Sequence, residues 1–203
     1  MSVPYEVLAT GSTGNAVVID GQILIDCGVP YKVVKPVAKA LRLVLLTHWH
    51  GDHFRKSTLH ALAADRPALR FGCCRWMVRP LVETGVKPTN IDLYDFDHRY
   101  SYGNFTVEPV PLVHDVPNCG YKLQLPSGKV LYATDTNNLH GISAPNFDLY
   151  LLEANYEDGE FVYERRVLGT HLSKAKCDDF IYRNIRPGGE YVYLHGHVEE
   201  EKA

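Results

Sequence analysis

The sequence predicts a mixed α/β (α+β) fold in which two β-sheets are covered by helices on their outer faces. Short β-branched and aromatic runs recur along the 203 residues, and two-residue turn signals join some of them. Helical periodicity is confined to stretches between the others. With 45% hydrophobic residues the chain can bury a substantial core, and it shows no repeat, low-complexity stretch or linker. One domain over residues 1–203 is expected.

The predicted strands run in order. Tyr5 to Leu8, Ala16 to Ile19 and Ile23 to Ile25 open the chain, and Asp20-Gly21 is a hairpin signal that makes this part antiparallel. Leu43 to Leu46 is wholly apolar, as a strand buried on both faces should be. Phe105 to Val107, Gly120 to Leu125, Val130 to Ala133, Leu149 to Leu152 and Tyr191 to Leu194 follow, with Ser127-Gly128 as a second turn signal. A helix should begin after Ser173, a good N-cap, because Cys177, Phe180, Ile181 and Ile185 recur at helical spacing until Pro187-Gly188-Gly189. Weaker helical patterns cover Lys32 to Leu41, broken or kinked at Pro36, and Ser57 to Ala64. Tyr94, Phe96, Tyr100 and Tyr102 read as a hairpin packing on its own sheet, with a dimer surface or a base-stacking edge as alternatives.

Charge and cysteine usage narrow the function classes. The net charge of -3 makes the whole chain a poor electrostatic partner for a polyanion. Locally, Arg55, Lys56, Arg66, Arg70, Arg75 and Arg79 face only Asp65, a basic stretch that could meet phosphate or be a solvated helix face. No apolar run is long enough to span a membrane, and the first residues lack the build of a signal peptide. Five cysteines without a scaffold spacing read as reduced thiols, so a cytoplasmic protein with no membrane partner is expected.

The strongest signal is the segment LVLLTHWHGDH. A buried strand runs straight into His48, His50, Asp52 and His53, four groups that suit zinc or a similar divalent ion. Gly51 is expected to allow the tight turn through which these side chains converge.

These residues match the HxHxDH motif, and the sequence resembles the metallo-β-lactamase superfamily, which implies a four-layer αββα sandwich. The resemblance further implies His114 in PVPLVHD, Asp135 in VLYATDTNN and His195 after the last strand, with His197 as the alternative, as ligands of two divalent cations. In that pattern His48, His50 and His114 hold one ion, Asp52, His53 and His195 the other, and Asp135 bridges; zinc is first choice, with manganese or iron as alternatives. Asp26 in ILIDCG matches a position that would orient the ligand loop.

Within the superfamily the chain is most similar to YycJ/WalJ-type exonucleases, through GSTGN, ILIDCG, THWHGDH, HDVPNCGYKL, ATDTN and GTHLS in the same order. The resemblance implies catalytic roles for Asp52 and for His171, which would protonate the leaving oxygen of a phosphodiester much as a histidine does in the ribonuclease Z group after an element like Glu153-Ala154. The expected partner is a nucleic acid or nucleotide substrate, with a homodimer possible. The chain is shorter than typical YycJ/WalJ proteins, shows no β-CASP-like insertion and carries HGHVEE where that group repeats an HLS-like sequence. A cyclic-nucleotide phosphodiesterase, a thiolesterase or lactamase, and a non-catalytic metal-stabilised binding protein therefore stand as rival readings.

Overall fold

Two six-stranded mixed sheets, each made of strands consecutive in sequence, form the centre of the fold. A computed structural model describes residues 2–157 and 165–196, and for Arg165 and Arg166 the backbone alone. The first sheet has the order β1 (Tyr5–Ala9), β2 (Ala16–Ile19), β3 (Ile23–Ile25), β4 (Leu43–Leu46), β5 (Arg70–Cys74) and β6 (Ile91–Tyr94). The second runs from β7 (Tyr100–Ser101) through β8 (Thr106–Leu112), β9 (Asn118–Leu125), β10 (Gly128–Ala133) and β11 (Leu149–Glu153) to β12 (Glu190–Leu194). Each sheet starts as an antiparallel meander and ends in parallel strands.

The predicted turn after β2 forms: Asp20 (φ 52°) and Gly21 (φ 65°) both lie in the left-handed region, as a tight hairpin with right-handed twist requires. Strand β4 shows why the sheets cannot slip. Leu43 and Leu45 enter the core between the sheets, while Val44 and Leu46 enter a second core beneath α1 (Tyr31–Ala38), α2 (Lys56–Asp65) and α3 (Arg75–Glu83). A third core lies on the outer face of the second sheet, where Cys177 and Ile181 of α5 (Lys174–Asn184) meet Leu131, Tyr150 and Leu152. The layers are thus helix, sheet, sheet, helix, as expected.

Several elements depart from the sequence-based expectation. Strand β8 extends through Pro109 and Pro111 to Leu112, because β7 pairs only with Thr106 and Val107 and leaves that side of the later residues without a ladder to break. Strand β5, not expected, contains Gly72, whose missing side chain is where the Tyr94 ring packs: a Cβ there would lie 2.3 Å from the phenol oxygen. Pro36 stays inside α1, which stops at Ala38 rather than Leu41. The helices α3 and α4 (Arg165–Thr170) were not anticipated. The start of α5 was: Ser173 accepts a hydrogen bond from Lys176 N.

The tyrosine cluster is no exposed patch. Tyr94 is buried and packs at a tilt against Tyr100, and Tyr102 stacks on Phe105, so these rings join the edge of one sheet to the edge of the other. Most of the basic stretch has partners within the chain, part-buried for Arg66 and Arg70 and solvent-exposed for Arg79 and Lys56. Arg66 donates to the carbonyls of Ala38 and Leu41, Arg70 pairs with Asp92, and Arg79 and Lys56 flank Glu83. Among the described residues no helix is long and apolar enough to cross a membrane.

Candidate metal centre

The loop after β4 is fixed on more than one side. Trp76 Nε1 donates to Thr47 O (3.1 Å), while behind the loop Tyr121 of β9 ties the strand itself, donating to the carbonyl of its last residue, Leu46 (2.5 Å). Further along, Asn15 N donates to Asp52 O (2.6 Å) and Cys27 N to His53 O (2.8 Å). Gly28 packs so closely on this loop that a Cβ would lie 1.7 Å from Asp52 O. Gly51, by contrast, has an ordinary negative-φ backbone and nothing within 4 Å of its Cβ position, so the turn does not depend on a glycine there, contrary to expectation.

Residues far apart in sequence meet over this loop. His48, His50 and His114 form one group of side chains whose ligand atoms lie within 4.8 Å of one another, and Asp52, His53 and His195 form another. Asp135 reaches both: one carboxylate oxygen is 2.8 Å from His53 Nε2, the other 3.6 Å from His195 Nε2 and 3.7 Å from His114 Nε2. All seven predicted ligands therefore converge, while His197 lies outside the described residues. Asp26, Asp135 and His195 each sit just past a strand end with φ between 53° and 59°, so the backbone reverses there and turns the side chain toward the cluster.

The second nitrogen of each imidazole also has a neighbour. His53 Nδ1 donates to Asp26 (2.7 Å), His114 Nδ1 to Thr170 O (3.0 Å), and His48 Nδ1 lies 3.0 Å from the Thr47 hydroxyl. Asp115 lies 3.3 Å from His50 Nε2, and Glu153 lies 3.4 Å from His195 Nδ1. Such outer partners set the tautomer and aim the remaining nitrogen inward.

Electrostatics describe a site that demands positive charge. Burial opposes charge on His53, yet Asp135 and Asp26 outweigh it and hold its pKa well above the ordinary value. For His195 burial is likewise overcome, by Asp52 and Glu153, which lift its pKa to about 10. His48 goes the other way: burial, reinforced by His53, pushes its pKa well down, so it is neutral and able to donate a lone pair. Despite burial, Asp52 and Asp135 are held well below the usual carboxylate range by the surrounding histidines.

At the centre His48 Nε2 is buried without a hydrogen-bond partner, while Asp135 Oδ2 is met by His53 Nε2 at 2.8 Å. An orphaned lone pair like that of His48 is costly unless something else meets it. A neutral His48 with an unpaired inward lone pair and ionised carboxylates are what a divalent cation requires, and at His53 and His195 a cation would take the place of the proton that the carboxylates hold there, so the residues present fit a metal centre.

A cavity of about 340 Å³ opens onto the cluster, lined by Ser12, Asp115, Val167 and Thr170 together with His50, Asp52, His114, Asp135, His171 and His195. His171, placed by the end of α4, sits in this wall with Nδ1 2.6 Å from Glu153. Glu153 is buried, and its other oxygen accepts Thr136 N (2.9 Å) and Leu172 N (3.1 Å). Sequence reasoning missed Asp115, Asn15 and the direct role of Glu153. Asn15 Nδ2 lies 2.9 Å from His53 Nε2 while its side-chain oxygen accepts Gly11 N, so it locks the GSTGN turn against the cluster. Its place in that motif was the available signal, and Asp115 had only its adjacency to His114.

Comparison with known proteins identifies the fold. No curated protein matches the chain in sequence. Its fold is similar to the metallo-β-lactamase fold protein YhfI from Bacillus subtilis, with TM-score 0.75 at 18% identity over 98% of this chain and 88% of that one. It is similar to the short form of human tRNase Z (TM-score 0.70, 18% identity, 97% and 92% covered) and to a diphosphatase from the PhnP family (0.70, 16%, 97% and 87%). A sequence profile described as β-lactamase superfamily domain matches residues 22–181. Because that match spans most of the chain, the protein belongs to the β-lactamase superfamily domain family, on the metallo-β-lactamase fold.

Proposed function

We propose that the chain is a divalent-metal-dependent hydrolase acting on phosphodiester bonds. The observation that carries this reading is the Glu153–His171 pair, 2.6 Å apart, opening into the same cavity as the histidine and aspartate cluster. A thiolate leaves without a proton, whereas the departing alkoxide of a phosphodiester needs one, as a lactam nitrogen does, so the pair speaks against a thioester. The fold likeness to tRNase Z and to a PhnP-family diphosphatase supports a phosphoester substrate.

In this reading His48, His50 and His114 hold one cation, Asp52, His53 and His195 a second, and Asp135 serves both. Zinc suits the donors best, with manganese or iron as alternatives. Bound cations would supply Lewis acidity toward a phosphoryl oxygen and a water deprotonated near neutral pH. The chain's own work is done by His171. Its Nδ1 faces Glu153 at 2.6 Å, which orients the ring, and the other ring nitrogen passes a proton to the leaving oxygen. Two backbone N–H groups, those of Thr136 and Leu172, hold the other oxygen of Glu153 and fix its aim.

Motif order favours a YycJ/WalJ-like DNA exonuclease. A specific observation favours the second reading, a cyclic-nucleotide phosphodiesterase: among the described residues no lysine or arginine lines the cavity, and Arg66 and Arg70 of the basic stretch after His53 are held by other groups. Metal-loaded protein assayed on linear DNA, RNA, cyclic mononucleotides and a chromogenic lactam, at two salt concentrations, tests both. DNA cleavage that falls steeply with salt identifies the exonuclease, and cyclic-nucleotide turnover with a shallow salt dependence the alternative. Turnover of the lactam alone, or of nothing, would sink the proposal.

A further inference from the structure

We infer that Tyr132 is a positioning residue for the metal centre, acting on His53 through Asp26; the inference rests on the reading of this cluster as a metal site. Asp26 is a wholly buried carboxylate at the end of β3 in the first sheet. Its Oδ1 accepts Thr47 N (3.0 Å) and the Thr47 hydroxyl (2.9 Å). Its Oδ2 accepts His53 Nδ1 (2.7 Å) and, from β10 in the opposite sheet, the Tyr132 phenol (3.1 Å). Three of these donors come from the metal loop itself and move with it. The phenol does not.

That difference gives Tyr132 its role. A carboxylate gripped only by the loop it supports can rotate with that loop, whereas one also held from across the sandwich is fixed relative to both sheets. Tyr132 has no freedom to follow, since its ring is fully buried in the core between the sheets and the Thr134 hydroxyl lies 3.4 Å from its oxygen. Asp135, three residues further on from the same strand, presents its carboxylate to the other nitrogen of His53. One short segment of the second sheet thus sets both sides of a single imidazole: Asp135 directly on Nε2 and Tyr132 through Asp26 on Nδ1.

Tyr121 offers an internal comparison. Its hydroxyl also crosses from the second sheet to the first, but it bonds a backbone carbonyl, Leu46 O, and touches no carboxylate. Both phenols should contribute to the stability of the sandwich; only Tyr132 should govern how well His53 presents its lone pair.

The test is zinc affinity, measured on intact protein by competition with a chromophoric chelator, alongside the melting temperature of metal-free protein. Tyr132→Phe should weaken zinc binding by about three- to ten-fold, at or below the lower end of the range for losing a direct outer partner of a metal-bound histidine, since Asp26 stands between. Tyr121→Phe should lower the melting temperature and leave zinc affinity within about two-fold, as expected for a hydroxyl that does not reach the ligand network. In an Asp26→Asn background Tyr132→Phe should weaken binding no further, because the path it uses is already cut. Unchanged or tighter binding in Tyr132→Phe, equal loss in Tyr121→Phe, or additive losses with Asp26→Asn would each overturn the assignment. Should Tyr132→Phe not fold, Thr134→Val, which frees the phenol to turn, must lower zinc affinity, and no change there overturns it equally. If the wild-type protein binds no zinc, manganese or iron, it is the metal-site reading that fails.

Discussion

Asp26, Asp135 and His195 adopt a left-handed backbone that costs a non-glycine residue on the order of 1 kcal/mol or more. Each is the point where a strand stops and its side chain turns into the cluster, so the cost falls where the chemistry is. His171 is different. It follows α4 with ordinary backbone and is tied to Glu153 rather than to the ligand loop. Replacing it with alanine is therefore expected to reduce turnover by roughly 10²- to 10⁴-fold, the usual worth of a general acid, while metal content by elemental analysis stays that of the wild type. Loss of metal in that variant would make His171 a ligand instead.

At the scale of elements, two glycines near the ligand loop make opposite predictions. Gly28 lets the turn after β3 lie directly on the Asp52 backbone, so Gly28→Ala must push the loop off its seat. Destabilisation of roughly 1–3 kcal/mol, the range for overpacking, should appear in urea unfolding together with weakened metal binding. Gly51→Ala meets nothing and needs no unusual φ; its stability should be unchanged or up to about 1 kcal/mol higher, since alanine reduces the freedom of the unfolded chain. A reader of the motif alone would have ranked them the other way, because HGDH displays its glycine among ligands and ILIDCG does not. The same contrast explains the strands that went unread. Gly72 and the paired prolines of β8 lower local strand propensity, and only a neighbouring ring or an empty sheet edge makes them acceptable. Strands such as β2, β3 and β4, buried on both faces, carry their own signal and were legible.

For the whole molecule, the consequence is coupling between metal and fold. His48, His50, Asp52 and His53 hang from the first sheet, while His114, Asp135 and His195 hang from the second, so any cation held by the cluster joins the two layers. Unfolding separates them. With metal at about a thousand times its dissociation constant, linkage predicts about 4 kcal/mol of added stability, and for a chain of this size a melting temperature roughly 8–16 °C above that of chelator-treated protein. Identical melting curves with and without chelator would show that no cation is held.

The sequence by itself determined the nature of the site: three histidines and an aspartate packed behind an apolar strand announce a candidate metal site because neither a core nor a solvated loop has use for them at that spacing. It also determined the layered fold, since strands that are apolar on both faces must be covered on both. Which distant groups complete the centre was decided only by tertiary structure. Tyr132, Asn15, Asp115 and Glu153 are ordinary residues until the sheets dock and place their polar atoms on the imidazoles. The fate of the basic stretch was decided there as well: a run of like charges looks available in one dimension, and in three most of it is already paired.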